Sequence, residues 1–232
     1  MATLADVLRD PPKPHRDAGG QQFLMGLLPA PLTFITEHVA RASATLETGC
    51  GISTVAFALT GARHWTITPA GAEFKIVQDY CRARGIATEQ LTLVEAFSEM
   101  ALPSLRVPPL DLVLIDGRHG FPAPFIDWYY TAARLKCGGY LVVDDTWLWS
   151  CQMLRDFLLA QPQWAFVTEY EQRTAVFKKL ADGAESAEWT DQPLVARGGR
   201  AKWIDGRLQV DAPARLTPRA IAGKVARRLG LR

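Results

Sequence analysis

The sequence predicts an α/β fold: a doubly wound, mostly parallel seven-stranded sheet with an antiparallel hairpin at one edge. Three observations carry this. Segments of strand character alternate with segments of helix character from Ala44 to Lys178, the order that a parallel sheet covered by helices requires. Two strand segments, Leu110 to Ile115 and Tyr140 to Val143, are nearly continuous apolar runs, as central strands buried on both faces must be. The last two, Trp164 to Tyr170 and Ala175 to Lys178, are joined by a turn with no room for a crossover helix. They must therefore pair antiparallel.

Taken in order, residues 1–20 hold Pro11, Pro12, Pro14, Gly19 and Gly20 with little periodicity and read as a flexible N-terminal arm. Gln21 to Arg41 is apolar at helical spacing, with Phe34, Ile35 and Val39 able to share a face, which gives a helical lead-in. Strands are expected at 44–48, 64–68, 91–95, 110–116, 140–145, 164–170 and 175–178, with helices at 54–59, 72–84, 124–135 and 152–160. Lead-in, sheet and helices make one domain over 21–180. Beyond Leu180 the pattern fades into a polar and basic extension, 181–232, with isolated Trp189 and Trp203. Thr217 to Leu229 reads as a short basic amphipathic helix capped by Thr217, with Pro218 at its first position.

A chain of 232 residues with 48% hydrophobic composition can bury one large core. No window reaches the roughly 20 apolar residues of a membrane span, and Met1 to Arg9 lacks the charged and apolar regions of a signal peptide. Cys50, Cys81, Cys137 and Cys151 show no C-x-x-C spacing, which fits reduced thiols in a cytoplasm. The net charge of +2 conceals an asymmetry. Residues 197–232 carry ten Lys or Arg against two Asp, net +8, while residues 1–196 carry 16 against 22, net −6. Such a tail can attract an acidic partner or dock on the acidic body. The acidic body argues against nucleic acid as a partner.

The segment Leu46-Glu47-Thr48-Gly49-Cys50-Gly51-Ile52-Ser53-Thr54 places a glycine turn between a strand and a helix. Glycines there let the backbone approach a nucleotide-type ligand closely. Glu47, two residues before the first glycine, would place a carboxylate beside that ligand and so favours a cationic one. More acids fall at strand ends, where ligands of open parallel sheets bind: Asp116 after the fourth strand, Asp144 and Asp145 after the fifth. Carboxylates converging on one crevice repel unless a cation lies between them. Asp116, Asp144 and Asp145 are hard oxygen donors suited to Mg²⁺. His119, three residues beyond Asp116 in a glycine-bracketed loop, is placed to act as a general base on a substrate hydroxyl.

Together, Glu47-Thr48-Gly49-Cys50-Gly51, Leu114-Ile115-Asp116-Gly117-Arg118-His119 and the run from Leu135 to Asp145 resemble the class I S-adenosylmethionine-dependent methyltransferases over about residues 40–180. Within these the chain looks most like the metal-dependent branch that methylates hydroxyls of small molecules. The resemblance implies a Rossmann-like fold and S-adenosyl-L-methionine as cofactor, with Glu47, Gly49, Gly51, Ser53 and Thr54 around it. It also implies Mg²⁺ on Asp116, Asp144 and Asp145, with Asp116 and His119 serving catalysis on a small-molecule acceptor. A homo-oligomer is compatible with it.

The chain departs from the family at two points. Its second strand ends in Thr68-Pro69, where the family carries an acid that holds the ribose. Either Thr68 or Glu73 takes that place. After the third strand the adenine-contacting acid is also missing, leaving Ser98 or Glu95. The rival readings are a nicotinamide-dependent dehydrogenase, which gives no role to Glu47 or to Asp144 with Asp145, and a binding protein of altered activity on the same fold.

Overall fold

The computed structural model describes residues 2–16, 20–23, 26–198, 201–204 and 207–210. They fall into two compact units, Met1–Ala187 and Glu188–Arg232. The first unit opens with helix α1 (Leu4–Arg9). Thr3 caps it, its hydroxyl accepting from the Asp6 amide while the Asp6 carboxylate accepts from the Thr3 amide. That reciprocal cap ties up two amides that a first helical turn leaves unpaired. Val7 then enters the core. The expected arm therefore contains a docked helix, which the capping pair and one apolar residue suffice to specify. Short strands β1 (His15–Arg16) and β2 (Gln22–Phe23) pair antiparallel behind it.

The lead-in helix α2 spans Pro29–His38, shorter than the expected 21–41, and starts on the proline that suits a first helical position. There follow β3 (Ala44–Thr48), α3 (Ile52–Thr60), β4 (Arg63–Thr68), α4 (Gly71–Ala83), β5 (Leu91–Glu95), α5 (Ser98–Ala101), β6 (Leu110–Ile115), α6 (Ala123–Ala132), β7 (Leu135–Val143), α7 (Trp149–Ala160), β8 (Trp164–Tyr170) and β9 (Thr174–Lys179). The seven strands β3 to β9 form one sheet in the order β5-β4-β3-β6-β7-β9-β8. Pairing is parallel from β5 to β7 and antiparallel at β7–β9 and β8–β9. The expected fold class is thus the observed one. The strand β7 starts five residues before the expected 140, because Leu135 already pairs with Leu110, with a register shift before Tyr140 pairs with Leu112.

Helices cover both faces. Leu112, Leu114, Val142 and Val176 pack with residues of α1 to α4 in one cluster. Alternation along each strand turns Val113, Ile115, Leu141 and Val143 toward the other face, where α6 packs on α7. The chain runs β3, β4, β5 outward and then returns to lay β6 on the other side of β3. A crevice opens at such a reversal, beyond the carboxyl ends of the strands.

The second unit holds a 3₁₀ turn (Trp189–Asp191), α8 (Pro193–Gly198) and an antiparallel hairpin of β10 (Ala201–Ile204) and β11 (Arg207–Val210). The expected basic helix at Thr217 to Leu229 lies outside the described residues. Among the described residues no helix is long and apolar enough to cross a membrane.

Candidate active site

At the reversal between β3 and β6 lies a cavity of about 320 Å³. Its floor is the glycine turn. Gly49 has φ 106°, and a Cβ there would sit 2.3 Å from the Asp116 carbonyl oxygen. Only glycine combines that left-handed backbone with that approach. The Gly49 amide donates to the Ile67 carbonyl at 2.9 Å, and the Gly51 amide donates to Thr54 Oγ1 at 3.1 Å. These bonds fix the turn between β4 and the start of α3. Gly49, Gly51, Ser53, Thr68 and Ser98 all line the cavity.

Glu47 does not. It is fully buried, its side chain turned into the layer between the sheet and α3. Ser53 Oγ donates to it at 2.6 Å and Thr66 Oγ1 at 3.0 Å, and the Thr54 hydroxyl donates as well. His64 Nε2 lies 3.1 Å from the same carboxylate. That ring stacks on Phe57 and has Nδ1 2.8 Å from Thr45 Oγ1. The expectation that Glu47 faces the cofactor is corrected here: its carboxylate braces the first turn of α3 against β3 and β4. Thr54 is buried in the same brace. His64 gave no sequence signal, since nothing local distinguishes it from a surface histidine.

The opposite wall is charged. Ligand atoms of Asp116, His119 and Asp145 all lie within 4.8 Å of one another. His119 Nε2 is 3.4 Å from Asp145 Oδ2 and 3.8 Å from Asp116 Oδ1. Asp145 has φ 52°, so the chain turns sharply just past the end of β7, and both adjacent acids reach the Arg173 guanidinium. Asp144, fully buried, accepts from the Thr174 hydroxyl and lies 3.4 Å from the Arg173 guanidinium. Of the expected trio, Asp116 and Asp145 line the cavity and Asp144 does not. Asp116 and Asp145 offer hard carboxylate oxygens that suit a divalent ion, with the His119 imidazole beside them.

Arg173, in the turn between β8 and β9, supplies a built-in cation. Its Nε donates to Asp145 Oδ1 at 3.0 Å and its terminal nitrogen to the Gly26 carbonyl at 3.2 Å. Sequence reading missed it because the turn's partner lies some thirty residues away in the chain. Burial pushes the Asp116 carboxyl up to about 7, against the opposing pull of His119. Asp116 in turn, with Asp145, raises His119 above its ordinary value of 6.5.

At the other end Thr68 is buried, and its hydroxyl accepts from the Ala70 amide at 3.1 Å. Glu95 does not line the cavity; its carboxylate lies against Gly71 at the start of α4. Beneath Ser98 and Thr48, Asp127 of α6 is fully buried. Burial pushes it up to about 6, with the Ser98 and Thr48 hydroxyls pulling the other way. Glu73, the alternative to Thr68, also lines the cavity, as do His15 and Arg118, which sequence reading missed.

Residues 46–146 match a family model described as a methyltransferase domain. No curated protein sequence matches the chain. Similar solved structures include cofactor-bound Rv0187 from MTB, at 16% identity and TM-score 0.58, covering 68% of this chain and 83% of that one. The O-methyltransferase TomG from Streptomyces achromogenes, solved in complex with SAM, gives 15% identity and TM-score 0.55 over 67% and 82%. An rRNA methylase from Streptococcus thermophilus gives 15% and 0.51 over 68% and 99%. At these identities the likeness is one of fold.

Proposed function

We propose that this chain, whose residues 46–146 carry a methyltransferase domain on the class I S-adenosylmethionine-dependent fold, methylates a hydroxyl of a small molecule. The observation that carries the proposal is the convergence of Asp116, His119 and Asp145 on one wall of the glycine-turn cavity. S-adenosylmethionine, when bound, supplies an electrophilic methyl on a sulfonium, which passes to the acceptor oxygen as S-adenosylhomocysteine leaves.

The chain's own part is positioning and proton transfer. Gly49 and Gly51 admit the cofactor to close backbone contact, with Ser53, Thr68 and Ser98 around it. His119 Nε2 takes the acceptor's proton as the new O–C bond forms, and Asp116 and Asp145 stabilise the resulting imidazolium. Holding the oxygen in line with the sulfonium supplies most of the remaining advantage. Asp116 and Asp145 would hold a divalent ion such as Mg²⁺, which lowers the pKa of a hydroxyl bound to it. Asp144 holds Arg173 and Thr174 instead.

Exposed Phe121, Trp147 and Trp149 stand beside this wall: the Trp147 ring lies under Arg173, and Phe121 faces Trp149 at 5.9 Å. They suit an acceptor with an apolar or aromatic flank. Free Cys50, Cys81, Cys137 and Cys151 support a cytoplasmic setting. The reading is tested by incubating the protein with labelled S-adenosylmethionine, Mg²⁺ and a panel of catechols, flavonoid phenols and sugars. Label transferred to a hydroxyl supports it. Cofactor bound without transfer to any hydroxyl favours the binding-protein alternative, which the missing acid at Thr68 motivates.

A further inference from the structure

We propose that the Arg173 guanidinium is a resident cation that competes with a divalent ion for the acids after β7, so that the charged wall holds such an ion weakly; this rests on the reading that Asp116 and Asp145 hold the ion. The guanidinium reaches both adjacent acids at once, with Nε 3.0 Å from Asp145 Oδ1 and a terminal nitrogen 3.4 Å from Asp144 Oδ2. The other Asp145 oxygen, Oδ2, lies 3.4 Å from His119 Nε2. Both oxygens of Asp145 are therefore already engaged. A divalent ion between Asp116 and Asp145 must take one of them as a direct ligand, and it then stands beside a guanidinium that never gives up its proton. It gains a ligand only by weakening an existing pair.

Arg173 is held from several sides, which makes it a lasting competitor. The turn from β8 to β9 passes through two successive left-handed residues, Glu171 at φ 51° and Gln172 at φ 53°. Just after them the Arg173 amide donates to the Tyr170 carbonyl at 2.9 Å, and the Arg173 carbonyl accepts from the Thr146 amide at 2.8 Å. The second of these bonds ties the turn to the residue next to Asp145. The part-buried side chain also donates to the Gly26 carbonyl at 3.2 Å and lies over the Trp147 ring. A planar fork fixed at base and tip loses little further freedom on pairing. Such a cation relieves the repulsion among Asp116, Asp144 and Asp145 that would otherwise draw in an ion.

The test is titration of Mn²⁺ into chelator-treated protein, the free ion being read by electron paramagnetic resonance. It compares wild type, Arg173→Lys, Arg173→Met and a double variant that joins Arg173→Met to Asp144→Asn. The strength of hydrogen bonds to charged groups predicts that Arg173→Met holds Mn²⁺ about 10- to 100-fold more tightly than wild type. Arg173→Lys keeps the charge and should stay within about 3-fold of wild type. The double variant removes the buried charge that Arg173→Met leaves on Asp144, so it carries the test if the single variant melts early; it should show the same gain. Adding Asp145→Asn to it should abolish the gain, and a gain that survives overturns the assignment. If wild type holds Mn²⁺ as tightly as Arg173→Met and the double variant do, the competition is overturned while the metal reading stands. If none of them binds Mn²⁺, both fall. Titrating S-adenosylhomocysteine into the same preparations decides the methyltransferase reading separately.

Discussion

The two ends of the cavity are built by different means. At the glycine turn the work is done by backbone: Gly49 packs its Cα against the Asp116 carbonyl, and the one acid of the motif, Glu47, is withdrawn and saturated by hydroxyls. At the far wall it is done by charged side chains: His119 lies against Asp116 and Asp145, and Asp145 pairs with Arg173. The difference teaches that an acid at a strand end is not thereby a site acid. Glu47 and Asp144 brace the fold, whereas Asp116 and Asp145 face the cavity.

The sharpest way to break this contrast is at its backbone end. Gly49→Ala, facing both a positive φ and a 2.3 Å clash, should abolish binding of S-adenosylhomocysteine as read by calorimetry. Wild-type affinity in that variant would show the turn to be ordinary. At the charged end His119→Ala should lower methyl transfer by about 10²- to 10⁴-fold while leaving S-adenosylhomocysteine affinity within about 3-fold. Removing a buried partner tests the withdrawn acid: Glu47→Ala should cost about 3–5 kcal/mol in urea unfolding, and a loss confined to cofactor affinity would return Glu47 to the site. Chelator treatment should reduce transfer and added Mg²⁺ restore it; full activity in chelated protein would leave Arg173 and His119 as the sufficient charges.

The smallest effect is on pH and comes from Asp127. Its folded carboxyl is raised from 3.8 to about 6 by burial, so the folded state holds the proton more tightly than the unfolded chain. The stability this contributes is present below pH 3.8 and is lost as pH rises through about 6. Denaturant midpoints taken across that window should fall in wild type and stay flatter in Asp127→Asn.

The sheet is readable from the sequence because burial on both faces leaves runs such as Leu110 to Ile115, and because the short turn after Tyr170 admits only a hairpin. The glycine turn is readable for the same local reason. The partition of the acids is not. Whether Asp144 or Asp145 faces the cavity depends on one left-handed residue and on Arg173, which joins from another strand pair. Glu47 is likewise decided by Thr66 and His64 on the neighbouring strand, and the helix at Leu4–Arg9 is hidden among prolines that follow it.

The central claim is that cofactor binding resides in the glycine-turn end and chemistry in the His119 wall. It is tested most directly by titrating S-adenosylmethionine into wild type and His119→Ala side by side. Both should bind with the same affinity, within about 3-fold, while only wild type transfers the methyl group. No binding by wild type at millimolar cofactor, or loss of binding together with turnover in His119→Ala, would contradict it.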